Sequence, residues 1–366
     1  MKVFITGGTG FIGSRVLKKL VERGDEVYAL ARSGSSAAEI EAMGAHVVSG
    51  DLDNLEVLRA GMQGCDVVFH IAAWYKLGGN DPEKMYRVNV GGTQNVLQTA
   101  FEAGVPKIVY TSSLAVNGDT HGQIVDETFR QGAPFLTDYD RSKWRAHYEV
   151  ALPLIEKGAP IVIVMPGAVF GPGDRSLVGE TLRWFQRGWL PVVPGPETTL
   201  AYTYVDDIAE GHILAADKGK PGESYILTGP VLRMVEWLAL VASVLGKSAP
   251  RITIPAAWLT PLAPAIGALE KVLPLPALFC RDSIAILGAS YAAKADKARD
   301  ELGWTPRALR DGLQLTLQAQ ADAQRTAAPN PETERRKQVT LTVLVMMLAV
   351  VLLWIKQWFK PRKRRS

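Results

Sequence analysis

The sequence contains few cysteines and no recognisable leader. Two cysteines occur in 366 residues, Cys65 and Cys280, without a C-x-x-C spacing. This argues against a disulfide framework and against a cysteine-based zinc site. Both are therefore expected to be small buried apolar residues in a reducing compartment. The first predicted strand begins at Lys2, which leaves no room for the charged and apolar regions of a signal peptide, so none is expected.

The net charge of the chain is small, and its histidines lack the spacings that are typical of metal sites. The formal net charge is +4, and the basic run at residues 360–365 supplies much of that excess. Because no basic stripe runs through the body of the chain, nucleic-acid binding is not expected. The five histidines show no metal-ligand spacing and no accompanying carboxylate cluster. No metal is expected either.

The chain does contain a regular alternation of apolar, strand-like runs with helical stretches. The strand-like runs lie at residues 26–31, 46–49, 66–71, 107–111 and 160–165. Between two of them, residues 88–103 show helical spacing that ends at Gly104. This alternation predicts an α/β fold, a Rossmann-type doubly wound parallel sheet with helices on both faces. Prolines become frequent after Pro166, which predicts a smaller and more irregular portion.

The composition divides the chain into five predicted segments. Residues 1–165 are predicted to form the Rossmann domain, and residues 166–325 a smaller portion that is interleaved with the Rossmann core. Residues 326–338 are polar, contain two prolines and are predicted to be a linker. Residues 339–359 are predicted to be a C-terminal transmembrane helix that anchors the protein, and residues 360–366 a basic tail.

The anchor prediction depends on an uncharged, mainly apolar run of 17 residues, 339–355. As a helix this run is about 25 Å long, which is short for a membrane span. If Lys356 snorkels and the helix continues through Phe359, its length reaches roughly 31 Å, close to a bilayer core of about 30 Å. A buried core helix is the alternative.

Two rules predict different orientations for the anchor. A folded domain without a signal peptide is expected to be cytoplasmic, whereas the positive-inside bias favours a cytosolic C-terminus. We expect a cytoplasmic catalytic domain. The helix then either spans as a tail anchor or lies in the interface with its basic flanks on membrane lipid.

A glycine-rich segment at residues 6–13 follows the first predicted strand and opens a helical pattern. Backbone N–H groups and the positive end of a helix dipole at such a turn bind the pyrophosphate of a dinucleotide. Glycine allows the tight turn, the approach of the phosphates and, at Gly13, close packing of the first helix on the sheet. A glycine-rich turn without a ligand is the alternative. The candidate contacts here are Gly7, Thr9, Gly10, Phe11, Ile12 and Gly13.

Tyr139 and Lys143 lie four residues apart, so on a helix they share one face. A neighbouring cation lowers the pKa of a phenol from its usual value near 10, which suits proton transfer. The pair follows a predicted strand that ends in Ser112 and Ser113, at the carboxyl edge where open parallel sheets bind ligands. Ordinary strand-end capping is the alternative role for these two serines.

In this order, the glycine loop, the serine-rich strand end and the Tyr-x-x-x-Lys pair resemble the extended short-chain dehydrogenase/reductases. The resemblance covers about residues 2–320, and the chain looks most like the dihydroflavonol-4-reductase and 3β-hydroxysteroid dehydrogenase branch. Five ordered blocks support it: Gly50-Asp51-Leu52, His70-Ile71-Ala72-Ala73, Asn89-Val90-Gly91-Gly92-Thr93, Pro166-Gly167-Ala168-Val169-Phe170-Gly171-Pro172-Gly173 and Tyr204-Val205-Asp206-Asp207-Ile208-Ala209.

The resemblance implies roles for individual residues. Tyr139 matches the proton donor and acceptor, and Lys143 matches the residue that lowers its pKa and binds the nicotinamide ribose. Ser113 matches the hydroxyl that polarises the substrate carbonyl, and Ser112 competes for this role because a one-residue register shift would exchange them. The resemblance also implies cofactor contacts at Asp51, Leu52, Ala72, Pro166 and Val169.

The choice of cofactor depends on Arg32. Sites for NAD usually place an acidic side chain about 20 residues after the glycine loop, where it binds the ribose 2′-hydroxyl. Here the residues at that place are Ala31, Arg32 and Ser33. A guanidinium pairs with a 2′-phosphate, so NADP(H) is favoured. NAD(H) stays possible, since Arg32 could instead stack on the adenine.

Together these features predict an oxidoreductase that moves a hydride between NADP(H) and a ketone or secondary alcohol of an apolar, sterol-, terpenoid- or lipid-like substrate. Residues 1–165 are then the NADP-binding Rossmann domain and residues 166–325 the substrate-binding portion. The charge-poor stretch at residues 258–279 suits an apolar pocket or a surface beside lipid. One alternative is a nucleotide-sugar epimerase or dehydratase, although dehydratases place an acid where this chain has Leu114 and Ala115. Another is a non-catalytic cofactor-binding subunit of a membrane complex, although such relatives typically lose the Tyr or the Lys.

Two further predictions concern packing. Asp206 and Asp207 are expected to cap a helix from Ile208 onward rather than to form a paired acid–base site. Helices around residues 88–103 and 138–157 could pair in a homodimer, as they do in related enzymes.

Overall fold

The computed structural model describes residues 1–75, 81–271 and 275–326. In these ranges the strands are β1 (Lys2–Thr6), β2 (Glu26–Ala31), β3 (His46–Ser49), β4 (Val67–His70), β5 (Lys107–Thr111), β6 (Ile161–Pro166), β7 (Ala168–Phe170), β8 (Val192–Pro194), β9 (Thr199–Tyr204), β10 (Ser224–Leu227), β11 (Val231–Arg233), β12 (Ile252–Ile254) and β13 (Ser290–Tyr291).

The α-helices alternate with these strands in the first half of the chain. They are α1 (Gly13–Glu22), α2 (Gly34–Ala42), α3 (Leu55–Met62), α4 (Pro82–Tyr86), α5 (Thr93–Glu102), α6 (Asp138–Arg145), α7 (Leu152–Glu156), α8 (Leu177–Gln186), α9 (Val205–Lys218), α10 (Met234–Leu245), α11 (Ala256–Leu259), α12 (Ala263–Leu269), α13 (Arg281–Ala285) and α14 (Leu309–Thr326). Segments of π-helix lie at Arg87–Gly92, Ala146–Ala151 and Ala298–Leu302, and 3₁₀ turns at Leu114–Asn117, Thr260–Leu262 and Ala277–Phe279.

Seven strands form one parallel sheet in the order β10-β6-β5-β4-β1-β2-β3. This confirms the predicted Rossmann-like α/β fold. The strand order reverses between β1 and β4, so the connections leaving their carboxyl ends diverge to opposite faces and open a crevice. That crevice is the standard ligand position in a doubly wound sheet.

Helices cover both faces of this sheet, as the alternation predicts. On one face, Leu17 of α1 and Ile208 of α9 pack into a core with the strands, and both are fully buried. On the other face, Leu58 of α3 and Leu97 of α5 belong to a second core and are also fully buried. Strand β6 is buried along its whole length, which explains why it is a continuous apolar run.

One strand of the sheet comes from late in the chain. β6 ends at Pro166, and its outer neighbour β10 is formed by Ser224–Leu227, with Leu227 beside Pro166. The portion assigned to substrate binding therefore includes a strand and helix α9 of the Rossmann core. The rest of it has a separate core, in which Tyr202 and Trp237 stack with their ring centroids 4.0 Å apart.

The predicted linker beyond Thr326, the anchor at residues 339–359 and the basic tail lie outside the described residues. Within the part of the chain that the structure describes, no helix is both long and apolar enough to cross a membrane. Both cysteines, Cys65 and Cys280, are buried free thiols.

The predicted role of Asp206 and Asp207 is wrong. Helix α9 begins at Val205, directly after strand β9, so both residues lie in its first turn and not at its cap. The Asp207 carboxylate accepts hydrogen bonds from the backbone N–H and the Nε of Arg307, at 3.1 and 2.9 Å. Asp206 lies 3.6 Å from Arg15 Nε. Both carboxylates thus stabilise tertiary contacts near the positive end of the helix dipole.

Candidate active site

The glycine loop connects β1 to α1, and at two of its glycines the surrounding backbone leaves no space for a side chain. Gly7 has φ +79°, and a Cβ there would lie 2.7 Å from the backbone nitrogen of Ala72. A Cβ on Gly13 would lie 2.0 Å from the carbonyl oxygen of Gly7. Gly13 thus lets helix α1 approach the loop itself, whereas the sequence suggested an approach to the sheet. Gly7 needs glycine because of its conformation as well as its surroundings.

Backbone donors point out of this loop. In the described residues, no acceptor is found for the backbone N–H of Phe11 or Ile12, which directly precede α1. Thr9 and Gly10 are exposed, and the only atom near a Cβ on Gly10 would be the Gly7 carbonyl oxygen at 3.1 Å. Free N–H groups at a helix N-terminus in a cradle without side chains fit a pyrophosphate.

The other predicted cofactor contacts lie at the same edge of the sheet. Arg32 follows β2 and is exposed, and Asp51 follows the neighbouring strand β3 and is exposed as well. Gly50 N–H donates to the Ala31 carbonyl at 2.9 Å, which keeps the two strand ends together. Leu52 is buried, and its carbonyl accepts from Asn95 Nδ2 at 3.0 Å.

The segment that contains Pro166 and Val169 lies on the other side of the glycine loop. Pro166 ends β6, and Val169 lies in β7, which pairs with β9. Arg15 Nη2 on α1 donates to the Pro172 carbonyl at 3.1 Å. This bond holds the segment after β7 against the first helix. The structure thus brings the predicted cofactor contacts of five strand ends to one crevice.

Tyr139 and Ser113 meet at the carboxyl end of β5. Tyr139 lies in the first turn of α6, whose N-terminus is fixed by a capping box between Thr137 and Asp140. Burial raises the pKa of Tyr139 to about 12, while a hydrogen bond with the Ser113 hydroxyl acts in the opposite direction. Ser113 also accepts from the Ala115 N–H at 3.1 Å. Tyr139 is therefore a protonated phenol at neutral pH, next to a second hydroxyl.

Lys143 lies one turn further along α6 and is 2% exposed. Its Nζ donates to the Thr111 carbonyl at 2.8 Å and lies 5.2 Å from the centroid of the Tyr110 ring. Burial lowers the pKa of Lys143 to about 7. The side chain thus lies against the end of β5, two residues before Ser113 in the strand-end segment.

Ser112 points in a different direction. Its Oγ lies 2.9 Å from Nδ1 of His147, and both side chains are buried. His147 belongs to the π-helical segment after α6. Burial lowers the pKa of His147 to about 3, so it is neutral at pH 7. The geometry favours Ser113 over Ser112 as the hydroxyl next to Tyr139.

Two residues at the site carried no role in the sequence analysis. The ring of Tyr75 contacts the ring of Tyr139 edge to face, with centroids 4.8 Å apart. Asn89 accepts from the Trp74 N–H at 2.6 Å and donates through Nδ2 to the Trp74 carbonyl at 3.0 Å and to Ser142 Oγ at 2.9 Å. Asn89 thus fastens the chain after β4 to helix α6. The asparagine lies in a block that the sequence identified, but its partners are distant in sequence.

His70 contacts Thr6, the residue that precedes the glycine loop, and Thr93 at the start of α5. Its Nδ1 lies 2.8 Å from Thr6 Oγ1, and its Nε2 lies 2.9 Å from Thr93 Oγ1. Thr6 Oγ1 in turn accepts from the Ala72 N–H at 3.4 Å. Burial lowers the pKa of His70 to about 3, so this network is held by a neutral ring. Across the described ranges, no group of three or more His, Cys, Asp or Glu side chains could hold a metal ion.

The fold and this site define a nucleotide-binding α/β enzyme with a serine, a tyrosine and a lysine at the end of β5. The sequence profile of the NAD dependent epimerase/dehydratase family matches residues 3–227. The chain belongs to this family of nicotinamide-dependent enzymes, which confirms the predicted extended short-chain dehydrogenase/reductase.

Several known proteins are similar over most of their length. A provisionally assigned dihydroflavonol 4-reductase from Synechocystis sp. is 37% identical, over 85% of this chain and 92% of that protein. A 4-hydroxy-2-methyl-3-oxo-4-farnesyl-3,4-dihydroquinoline-1-oxide ketoreductase from Stigmatella aurantiaca is 32% identical, over 90% and 97%. Among solved structures, the crystal structure of gox2253 superposes with a TM-score of 0.77 over 89% of this chain and 99% of that one, and the two sequences are 35% identical.

Proposed function

We propose that this enzyme is an NADP(H)-dependent oxidoreductase acting on a ketone or secondary alcohol of an apolar substrate. The observation that carries the proposal is the hydrogen bond between the Tyr139 and Ser113 hydroxyls, with Lys143 on the end of β5, at the sheet edge that also holds the glycine loop. The nicotinamide, when bound, supplies or accepts the hydride. The residues of the chain hold the carbonyl and move the proton.

In the direction of reduction, each of the three side chains has a separate task. The Ser113 hydroxyl donates a hydrogen bond to the substrate carbonyl oxygen and polarises it. The phenol of Tyr139, with its pKa raised to about 12, donates the proton to that oxygen as negative charge develops. Lys143, in its charged form, stabilises the phenolate that is left. In the direction of oxidation the same groups act in reverse.

The preference for NADP(H) is supported by the surroundings of Arg32. The side chain is exposed, and it makes no hydrogen bond or ion pair to any described residue. The next residue, Ser33, caps α2 by accepting from the Ser36 N–H at 3.3 Å. A free guanidinium beside a helix N-terminus suits a phosphate group.

The similar ketoreductase from Stigmatella aurantiaca, whose name specifies a farnesylated ketone, supports an apolar substrate class. The family name also covers epimerases and dehydratases. Ser113 is followed here by Leu114 and Ala115, both buried, so no carboxylate occupies the place of a dehydratase acid. Ketone reduction fits this site better.

Membrane attachment is part of the proposal, and it is supported by sequence alone. The apolar run at residues 339–355 has almost no polar face, and it is followed by basic residues that suit anionic headgroups. We expect residues 339–359 to anchor the enzyme beside the lipid phase in which apolar ketones dissolve, with the catalytic portion in the cytoplasm.

The substitution Tyr139→Phe tests the proposed chemistry. Loss of the phenolic proton should lower kcat for ketone reduction by a factor on the order of 100 to 10,000. The Kd for NADPH should change little, because the ring is retained. The assay is NADPH oxidation with a panel of ketones, together with a calorimetric NADPH titration.

Tyr148→Phe is the matched control, because Tyr148 lies on the following π-helical segment and contacts the ring of Trp144. It should retain the activity of the unsubstituted enzyme. A Tyr139→Phe enzyme that turns over normally would remove the basis of the proposal.

A further inference from the structure

A second concave site lies in the C-terminal portion, apart from the residues assigned above. It is a cavity of about 90 Å³ between helix α8, strands β8 and β12, helix α11 and the segment around α13. Its wall has no charged side chain, and most of it is aliphatic or aromatic. Representative lining residues are Leu177, Leu190, Val192, Ile254, Leu259 and Phe279.

The two hydroxyl groups in the wall are already hydrogen bonded within the protein. Thr181 Oγ1 donates to the Leu177 carbonyl at 2.8 Å, and Ser283 Oγ donates to the Ala277 carbonyl. A buried water needs two to four polar partners, and cavities without them stay dry and accept apolar ligands. The cavity therefore suits a hydrocarbon group and not water or a sugar.

Helix α13 and the residues after it link this cavity to the helix that carries Tyr139. Ser283 and Ile284 face the cavity, whereas Asp282 is close enough to Asp140 for its charge to raise the pKa of that carboxyl. Asp140 directly follows Tyr139. Leu287, just after α13, also lines the cavity, and four residues later the Tyr291 hydroxyl donates to the Asp140 carboxylate at 3.1 Å. The residues that follow α13 thus connect the cavity wall to helix α6, which carries the proton donor.

The opposite side of the cavity is formed by a stretch without charge. Residues 252–269 contain no Asp, Glu, Lys or Arg. Ile254 and Leu259 of this stretch line the cavity, while Ile252 and Trp258 turn outward and are 63% and 47% exposed. An apolar chain that enters from this side meets no ionised group.

We propose that this cavity binds the apolar chain of the substrate, an alkyl or isoprenoid chain attached to the reacting ketone. The proposal rests on the proposed ketone reductase activity and specifies which part of the protein recognises the apolar chain of the substrate. At roughly 30 Å³ per water-sized group, the cavity holds about three methylene-sized groups. Chains that reach it should bind more tightly with each group that it takes up.

The experiment is a series of 2-alkanones of increasing length, assayed with NADPH in the full-length enzyme. Over a window of about three added methylenes, KM should fall about fourfold for each one and then level off. Thr181→Phe, which fills the cavity, should abolish this fall. Thr253→Phe is the matched control, because Thr253 is exposed on β12 and does not line the cavity, and it should keep the fall.

Leu278→Ala enlarges the cavity and should extend the window to longer ketones, so it decides the question even if Thr181→Phe fails to fold. Calorimetric Kd values for the matching 2-alkanols follow the same pattern without turnover. A chain-length dependence identical in all variants would overturn the cavity assignment. Absence of ketone turnover in the unsubstituted enzyme would instead overturn the proposed function, and the alkanol titrations would still test the cavity.

Discussion

Tyr139 and Lys143 share one face of α6. Burial shifts their pKa values in opposite directions, and each shift favours the neutral form of its group. The pKa of the phenol rises to about 12 and that of the ammonium falls to about 7. Burial penalises the charged form of either group, so both shifts have one cause. The sequence led us to expect that Lys143 lowers the pKa of Tyr139. In the structure a hydrogen bond with the Ser113 hydroxyl opposes the rise in the pKa of Tyr139, and Lys143 Nζ donates to the Thr111 carbonyl. The effect of Lys143 on the phenolate stays a prediction.

Arg32 is the residue on which cofactor choice depends. Arg32→Ala should weaken NADPH binding by about tenfold and leave NADH binding nearly unchanged, because only NADPH carries the 2′-phosphate; exposure to solvent keeps the effect at the low end for a charge-assisted hydrogen bond. The measurement is the Kd of each cofactor by calorimetric titration.

Arg59→Ala is the control for Arg32→Ala, since Arg59 is an exposed arginine on α3. It should change neither Kd. An equal loss for NADPH and NADH in Arg32→Ala would show that Arg32 does not bind the phosphate.

Asp140 should give the fold an unusual pH dependence. Burial raises the pKa of this carboxyl from its usual value to about 6, and the side chain is 3% exposed. Because the folded pKa is the higher one, its contribution to stability is full below pH ~4 and is lost as the pH rises through ~6. The free energy of unfolding should therefore fall by about 3 kcal/mol relative to Asp140→Asn over this interval.

Urea denaturation of both proteins between pH 4 and 7 measures this difference. The asparagine variant cannot titrate at this position, so subtraction removes the effects of all other carboxylates. A difference that does not change with pH would contradict the assignment.

At the scale of elements, the connection from β1 to α1 makes a prediction about glycine. Gly13→Ala places a Cβ 2.0 Å from the Gly7 carbonyl oxygen, so the loop must shift. We expect the Kd for NADPH to rise more than tenfold, because the N–H groups of Phe11 and Ile12 move out of position. The measurement is an NADPH titration together with thermal unfolding.

Gly91→Ala is the control for Gly13→Ala. Gly91 lies in a π-helical segment, and a Cβ there would have no atom within 4 Å. This variant should bind NADPH normally. Normal NADPH binding by Gly13→Ala would show that the loop tolerates the displacement.

The sequence predicted strands better than it predicted the partners of polar side chains. The bounds of β2, β3 and β5 agree with the predicted runs. β5 is buried from Ile108 to Thr111, as expected of an apolar strand inside a parallel sheet. Asp207 and Arg307 are separated by 100 residues, and no local pattern indicates their ion pair. For the same reason the predicted helix start at Ile208 was wrong: tertiary pairing replaced the local capping rule.

At the scale of the whole molecule, the site could be predicted because sheet topology gathers strand ends that are far apart in sequence. Ser113, Tyr139 and Lys143 meet because α6 crosses the end of β5. The side on which Ser112 and Ser113 point could not be predicted. It depends on His147, a buried partner contributed by another element.

Deletion of residues 330–366 tests membrane attachment. The shortened enzyme should appear in the soluble fraction with its ketone reductase activity, whereas the full chain should resist extraction by high salt and carbonate. Fractionation followed by an NADPH oxidation assay measures both outcomes. A full-length protein that is released by salt would show an electrostatic surface contact only.

The position of β10 late in the sequence has a consequence for folding during translation. When residue 166 leaves the ribosome, β6 is complete but its outer edge has no partner until residue 227 follows. At about 5–20 residues per second, that interval lasts roughly 3 to 12 s. During this time a wholly apolar strand edge is open to other nascent chains. We therefore expect the nascent chain to need protection by chaperones during this interval, and a chain cut near residue 166 to keep that edge permanently open.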